Sequence, residues 1–319
     1  MPNTFTEQTF RSTYKDDHAD SDNYSRILFN AGRALQAREL TQMQTITQRE
    51  LTRLLTHLFK DGSPVNPGGP SINNAYEFIK LNTTVNLFPT GDSLSNLPGT
   101  TLTATNGVKV RVLQAVAATA TDPATLYVEY TDTSAGTSGA SAIRVTPGTT
   151  LGGGEYTFTV QTTNTTTNPG VGAGTQFSVH GGDFFTKDRI VFVGQQSIIL
   201  SKYSSTPSAV VGFKVTESIV TVADDPNLYD NQGVTLNRSA PGADRYKIKL
   251  DLTTEDQILS SDNFMYFAEV EDGKIITQVV AGENYNVLED SLATRTREES
   301  GDYIVNPFTA KFTTQATDA

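Results

Sequence analysis

The sequence predicts a mainly β protein with an N-terminal α-helical arm, its body a β-sandwich or barrel with a small all-β domain inserted. Three observations carry that expectation. One helical pattern runs without Pro or Gly from Ala34 to about Lys60 and stops at Asp61-Gly62. After it, short β-branched and aromatic runs recur between turn residues through most of the chain. Between about 90 and 175 the composition shifts to Thr, Gly, Ala and Ser, which marks a separate module of short strands.

The bulk numbers narrow the function classes. With 319 residues the chain can bury a sizeable core. Hydrophobic residues are 37% and charged residues 18%, a content suited to solvated strands and turns. Net charge is −11, from 35 acidic against 24 basic side chains, which repels phosphate backbones. The densest basic region, Arg33 to Lys60, is interleaved with Glu39 and Glu50, so no nucleic-acid partner is expected. No cysteine is present, which excludes disulfides, thiolate catalysis and Cys-ligated metals. No apolar run of about 18 residues occurs, and the first residues, MPNTFTEQTFRST, lack the apolar core of a signal peptide. Membrane insertion is therefore not expected.

Taken in order, residues 1–26 are polar, with Phe5, Phe10, Tyr14 and Tyr24 scattered among Asp16, Asp17, Asp20 and Asp22. Alone they cannot form a core, and docking on a neighbouring subunit is the expected way of ordering them. The helix follows. Its apolar residues, with Leu35, Leu40, Met43, Ile46, Leu51, Leu54, Leu55, Leu58 and Phe59, recur at spacings that keep them on one broad face. That face is the expected oligomer or docking interface. Strict heptads are interrupted by Thr47, Glu50 and His57, which argues against a long isolated coiled coil. The run PVNPGGP, Pro64 to Pro70, reads as a linker or tight turn.

Strands are then expected at Tyr76–Leu81, Thr83–Phe88, Val108–Val116, Leu126–Thr131, Ala142–Val145 and Glu155–Thr162. Thr162 to Gly174 reads as a low-complexity loop, and the main body resumes at Gln176 with Phe184–Phe185, Arg189–Gly194 and Ser197–Tyr203. Val210–Val222 reads as a further pair of strands, Tyr246–Leu252 as one strand, and Phe264–Glu271 with Gly273–Val280 as a hairpin around Glu271-Asp272-Gly273. Ser291–Glu299 reads as a short helix and Ile304–Phe308 as a last extended run. The expected division is 1–62 arm and docking helix, 63–89 with 176–308 main β body, 90–175 inserted domain, and 309–319 tail.

The search for chemistry is mostly negative. No GxxxxGK[ST] or GxGxxG precedes a helix, and Gly152-Gly153-Gly154 sits between strands. His18, His57 and His180 are too far apart for a paired zinc motif. No G-x-S-x-G elbow occurs. Paired carboxylates for glycoside cleavage have candidates in Asp183, Asp188, Glu217, Asp224 and Asp225, but the chain has no tryptophan to form a sugar platform. The run Asp224 to Asn231 carries oxygen ligands that could take calcium, although Asp-Pro-Asn is ordinary turn chemistry. No cofactor, metal or catalytic residue is expected.

Three segments together carry a resemblance: FNAGRALQARELTQMQTITQRELTRLLTHLFKDGSPVNPGG, DDPNLYDNQGVTLNRSAPGADRYKIKLDL and LATRTREESGDYIVNPF. The matching positions are Gly32, Leu35, Gln36, Glu39, Leu40, Gln44, Asp61 and Gly62 in the first. In the second they are Ala240 to Arg245, and in the third Arg295, Thr296 and Glu299 to Tyr303. In this the chain resembles a domain of unknown function near the N-terminus of virion proteins of tailed phages, cyanophages in particular. The resemblance implies a baseplate or tail component of the virion, made in the host cytoplasm, that fixes a tail fibre to the particle. The expected partners are other copies of the chain, a trimer being the form considered, and baseplate, tail or tail-fibre proteins. Two other readings stay open: a host-receptor module binding glycan through residues 90–175, and a polysaccharide depolymerase.

Overall fold

The structure is a computed structural model describing residues 7–82, 92–120, 122–133, 144–153, 156–163, 165, 168–229, 242–260, 262–279 and 283–301. The fold is mainly β with an N-terminal helical region. Helices α1 (Glu7–Tyr14) and α2 (Ala37–Leu58) lead into strands β1 (Pro70–Lys80), β2 (Thr101–Ala104), β3 (Lys109–Val116), β4 (Thr125–Asp132), β5 (Thr150–Gly153) and β6 (Tyr156–Thr159). A short helix α3 (Asp92–Ser95) precedes β2. Then come β7 (Val171–Val179), β8 (Gly182–Thr186), β9 (Arg189–Val193), β10 (Gln196–Ser201), β11 (Ala209–Val220), β12 (Arg245–Thr254), β13 (Asn263–Glu271), β14 (Lys274–Gln278) and α4 (Glu283–Ser300).

Eight strands form one antiparallel sheet in the order β10-β7-β1-β4-β3-β2-β5-β6, curled into a half-barrel. Just beyond β1, Leu81 bridges Val160, and Asn82 N–H donates to the Thr159 carbonyl at 2.8 Å, so the far edge of the curl returns towards its start. Alternation explains the burial. In β3 Val110 and Val112 point inward and Lys109 and Arg111 outward, the period of a half-buried strand. The inner residues, with Ile79, Leu97, Leu102, Leu126 and Leu151, make the first core.

A second sheet, β12-β11-β13-β14, and the β8–β9 hairpin enclose a second core with Phe177 and Val179 of β7. Phe184, Phe213 and Phe267 meet at its centre with ring centroids 5.0–5.6 Å apart. Such aromatic triads contribute beyond the area they bury. Tyr76, Phe78 and Tyr127 form a third, smaller cluster with Val116, Ile199 and Tyr203.

Several sequence expectations take a different form. Strands of the 90–175 module share a sheet with β1 and β7, because β4 pairs directly with β1, Phe78 opposite Tyr127. That module thus shares its core with Ile79 and Leu81 and has no sheet boundary. The stretch Val210–Val222, expected as two strands, holds one, β11, flanked on both sides by β12 and β13, with a register shift against β13 between Val211 and Gly212. The glycines of 170–174 belong to β7 and its approach: a Cβ at Gly174 would stand 2.7 Å from the Ser201 carbonyl, so only glycine admits β10 this closely. β1 starts at Pro70, the last residue of the expected turn, six residues ahead of the expected strand start at Tyr76, and the C-terminal helix starts at Glu283. The hairpin at Asp272-Gly273 is present, both residues at positive φ as a type I′ turn requires. Thr83–Phe88, residues 142 and 143, and Ile304–Phe308 lie outside the described residues.

Candidate docking interface

α2 begins with a capping box. Gln36 N–H donates to Glu39 Oε2 at 2.9 Å, the Gln36 side chain accepts from the Glu39 N–H, and the Glu39 N–H also lies 3.1 Å from the Gln36 backbone carbonyl. It ends where Phe59 N–H donates to the Leu55 carbonyl and the chain turns at Gly62, whose φ of +93° excludes other residues at low cost. Over its 22 residues it is a rod about 33 Å long.

The sequence suggests one broad apolar face on this rod. The structure divides its circumference into three, apart from where α4 approaches it. One side meets the β body: Thr52 Oγ1 donates to the Asp188 carbonyl at 3.2 Å, Arg189 donates to Gln48 Oε1 at 2.9 Å, and Leu55 is buried. Phe59 continues that contact against Phe185, centroids 6.1 Å apart. A second side, at positions 38, 42, 45, 49 and 53, carries the N-terminal arm. Asp17 takes Arg38 at 3.2 Å and Gln42 at 2.6 Å, Asp16 takes Thr45 at 2.5 Å, and Asp20 sits 3.7 Å from Arg49 and 3.4 Å from Arg53. Ile46 is buried beside this contact. His18 is nearly enclosed there, its Nδ1 without a hydrogen-bond partner and its Nε2 3.4 Å from Asp20.

The third side is open. Leu40, Met43, Leu51 and Leu54 are 43–59% exposed, and Leu35 just before the helix is 61% exposed; Leu58 and Phe59 are half-buried. The nine residues expected to form one interface are thus split: Ile46, Leu55 and Phe59 make contacts inside the chain, and the others line or adjoin an open stripe.

The arm makes its contacts within its own chain, where the sequence suggested a neighbouring subunit as the docking surface. Phe10 packs edge-on against Tyr246 at 5.4 Å, and Tyr14 donates to Asp244 Oδ2 at 2.7 Å, both on or beside β12. Sequence reasoning marked the arm's aromatics as docking groups but did not find their receptor. The signal available was the acidic cluster of the arm facing basic residues four apart on the helix.

The carboxylates considered for catalysis have local duties. Glu217 is buried on β11, accepts a short hydrogen bond from Tyr246 Oη and lies 3.9 Å from Lys187 Nζ. Burial, and next Glu217, push the Tyr246 phenol well above its usual range. Asp183 accepts from Asn66 at 2.7 Å; Asp188 stands in the β8–β9 turn at positive φ. Asp224 accepts from Thr221 N–H and Oγ1 at 2.9 and 2.7 Å, which holds its pKa below the ordinary carboxylate value. Asp225 caps the turn at Asn227. Asp230 and Asn231 of the calcium candidate lie outside the described residues, and among those described no three acidic or histidine side chains are placed to hold a metal ion.

Segments distant in sequence therefore converge on the arm and helix: β12 receives α1, and α4 packs on α2. A family model, that of a domain of unknown function (DUF4815), matches residues 12–162 and 170–319. The chain belongs to the DUF4815 family. The DUF4815 match takes in the arm from Ser12 onward, α2, both cores and α4, so the arm–helix–β12 arrangement lies almost wholly within it. Neither the comparison with curated proteins nor that with solved structures gave a match.

Proposed function

We propose that this protein is a non-enzymatic structural component of a phage virion, a tail-fibre or baseplate adaptor that docks through α2. One observation carries the reading: the apolar stripe of Leu40, Met43, Leu51 and Leu54 stays open on a helix whose other two sides are already occupied. Exposed apolar side chains gathered into one contiguous stripe, unlike ones scattered singly over a surface, mark interaction sites. Here the patch lies on a capped rod anchored at its end to a double-cored β body, which suits a joint that transmits load. The setting in a tail or baseplate comes from the three-segment resemblance to phage virion proteins.

The test is incorporation into particles. Full-length protein carrying Leu40→Glu with Leu54→Glu, both at exposed positions, should remain folded by circular dichroism yet be missing from purified virions. Incorporation of this variant at the wild-type level would overturn the adaptor role.

A further inference from the structure

The open side of α2 has a second regularity. Leu40, Gln44, Thr47, Leu51, Leu54 and Leu58 are separated by four, three, four, three and four residues, the 3.5-residue average of a coiled-coil seam. Counted from the Leu40–Met43 pair, the heptad is broken at Thr47, Glu50 and His57. In the exposed frame Glu50 and His57 move to the flank. Five of the six seam positions are exposed and Leu58 is half-buried.

We propose that α2 packs, parallel and in register, against α2 of further copies of this chain. The proposal rests on the assembly role above and names the partner at the docking face. Its polar positions fit such a seam. Thr47 Oγ1 already donates to the Met43 carbonyl at 3.0 Å, so it brings no unpaired hydroxyl into an apolar contact. Gln44 carries both donor and acceptor and can pair with its own copy across the axis, a device that fixes register. In an antiparallel pairing centred on the seam Gln44 would oppose Leu54, leaving a buried amide without a partner.

Charge points the same way. The chain carries −11, yet the seam is uncharged and, of the flanking Thr41, Met43, Gln48, Glu50, Leu55 and His57, only Glu50 is formally charged at neutral pH. Arg38, Arg49 and Arg53 lie on the arm side with Asp17 and Asp20. Copies therefore meet without electrostatic opposition at the contact, whereas a strongly charged partner would find no counter-ions there.

The experiment uses the full-length protein at micromolar concentration. Light scattering after size exclusion should give a mass of two or more chains, and Leu51→Glu with Leu54→Glu should shift it to one chain while the thermal transition of the β body persists. Because the wild-type chain has no cysteine, Thr47→Cys reports orientation directly: mild oxidation should yield a disulfide-linked pair on a non-reducing gel, and Arg53→Cys on the arm side should not. A monomeric wild-type protein, or an oligomer in which Thr47→Cys fails to cross-link, would overturn the parallel seam. If that happens while Leu40→Glu with Leu54→Glu still blocks incorporation into virions, the adaptor role stands and another protein covers the face. If the variant is incorporated normally, the adaptor role itself fails.

Discussion

Tyr14 Oη donates to Asp244 Oδ2 across 2.7 Å and ties the first helix of the chain to the approach of β12, 230 residues later. Together with the edge-on contact of Phe10 on Tyr246, it makes α1 a latch that fixes the arm along one side of α2. The latch leaves the apolar stripe untouched, so the same helix can be clasped from inside the molecule and still present a face to another chain.

The latch is titratable. The hydrogen bond to Asp244, then burial and the Asp244 charge, raises the Tyr14 phenol from 10.0 to about 12. A raised phenol stabilises docking fully below the unfolded pKa and loses that contribution as pH climbs through the folded one. Docking should therefore weaken between pH of about 10 and about 12. Among the 12 tyrosines, the one removed by Tyr14→Phe should account for a component near the upper end of the ultraviolet tyrosinate titration. A difference curve centred at the ordinary phenol value would contradict the bond.

The arm–helix clasp is ionic and exposed: Asp20, Arg49 and Arg53 are each more than a third accessible. Pairs of this kind contribute about 0.2–1 kcal/mol each and are screened by salt. Amide hydrogen exchange over residues 12–25 should rise with ionic strength, and Asp20→Asn should produce a similar rise at low salt. Exchange in β11 should stay unchanged under both treatments.

Lys80 offers a second pH signature beside the Phe78 and Tyr203 rings. Its side chain is buried with the ammonium 3.7 Å over the Tyr203 ring, and it donates to Asn168 Oδ1 at 2.7 Å. Burial lowers its pKa from 10.5, with Asp122 opposing. Between the lowered folded value and 10.5 the unfolded chain binds the proton more readily, so this group makes stability rise with pH in that window. Lys80→Met should flatten that rise in denaturant titrations; an unchanged slope would remove Lys80 as its source.

The second core should be the less forgiving of substitution. Phe213 is fully buried between Phe184 and Phe267, and Phe213→Ala should cost about 3–5 kcal/mol. At Gly212 an added Cβ would meet the Met265 carbonyl and the Phe264 ring, so Gly212→Ala should cost about 1–3 kcal/mol by forcing β13 away. Both losses can be read from urea denaturation midpoints.

Much of the element plan was legible in the residues. The 3.6-residue period and the Asp61-Gly62 stop define α2 to within three residues at each end. Two-residue alternation and turn chemistry located β3, β4, β12 and the β13–β14 hairpin. What misled was composition. Low-complexity sequence around Gly172 and Gly174 reads as loop, yet those glycines let β7 lie close between β1 and β10. α1 escaped notice because so short and polar a helix acquires its stability from β12 and not from its own pattern.

By itself the sequence determined that a long amphipathic helix precedes a cysteine-free, acidic β body, because periodicity and composition are local properties of the chain. Only the tertiary structure decided how the apolar residues of that helix are shared out. Ile46 and Leu55 are covered because the arm and the β8–β9 hairpin, the latter more than 120 residues further on, come to lie against two of its sides, while Leu40, Met43, Leu51 and Leu54 remain open. A hydrophobic side chain has no direction of its own, and what covers it depends on which distant segments the topology brings alongside.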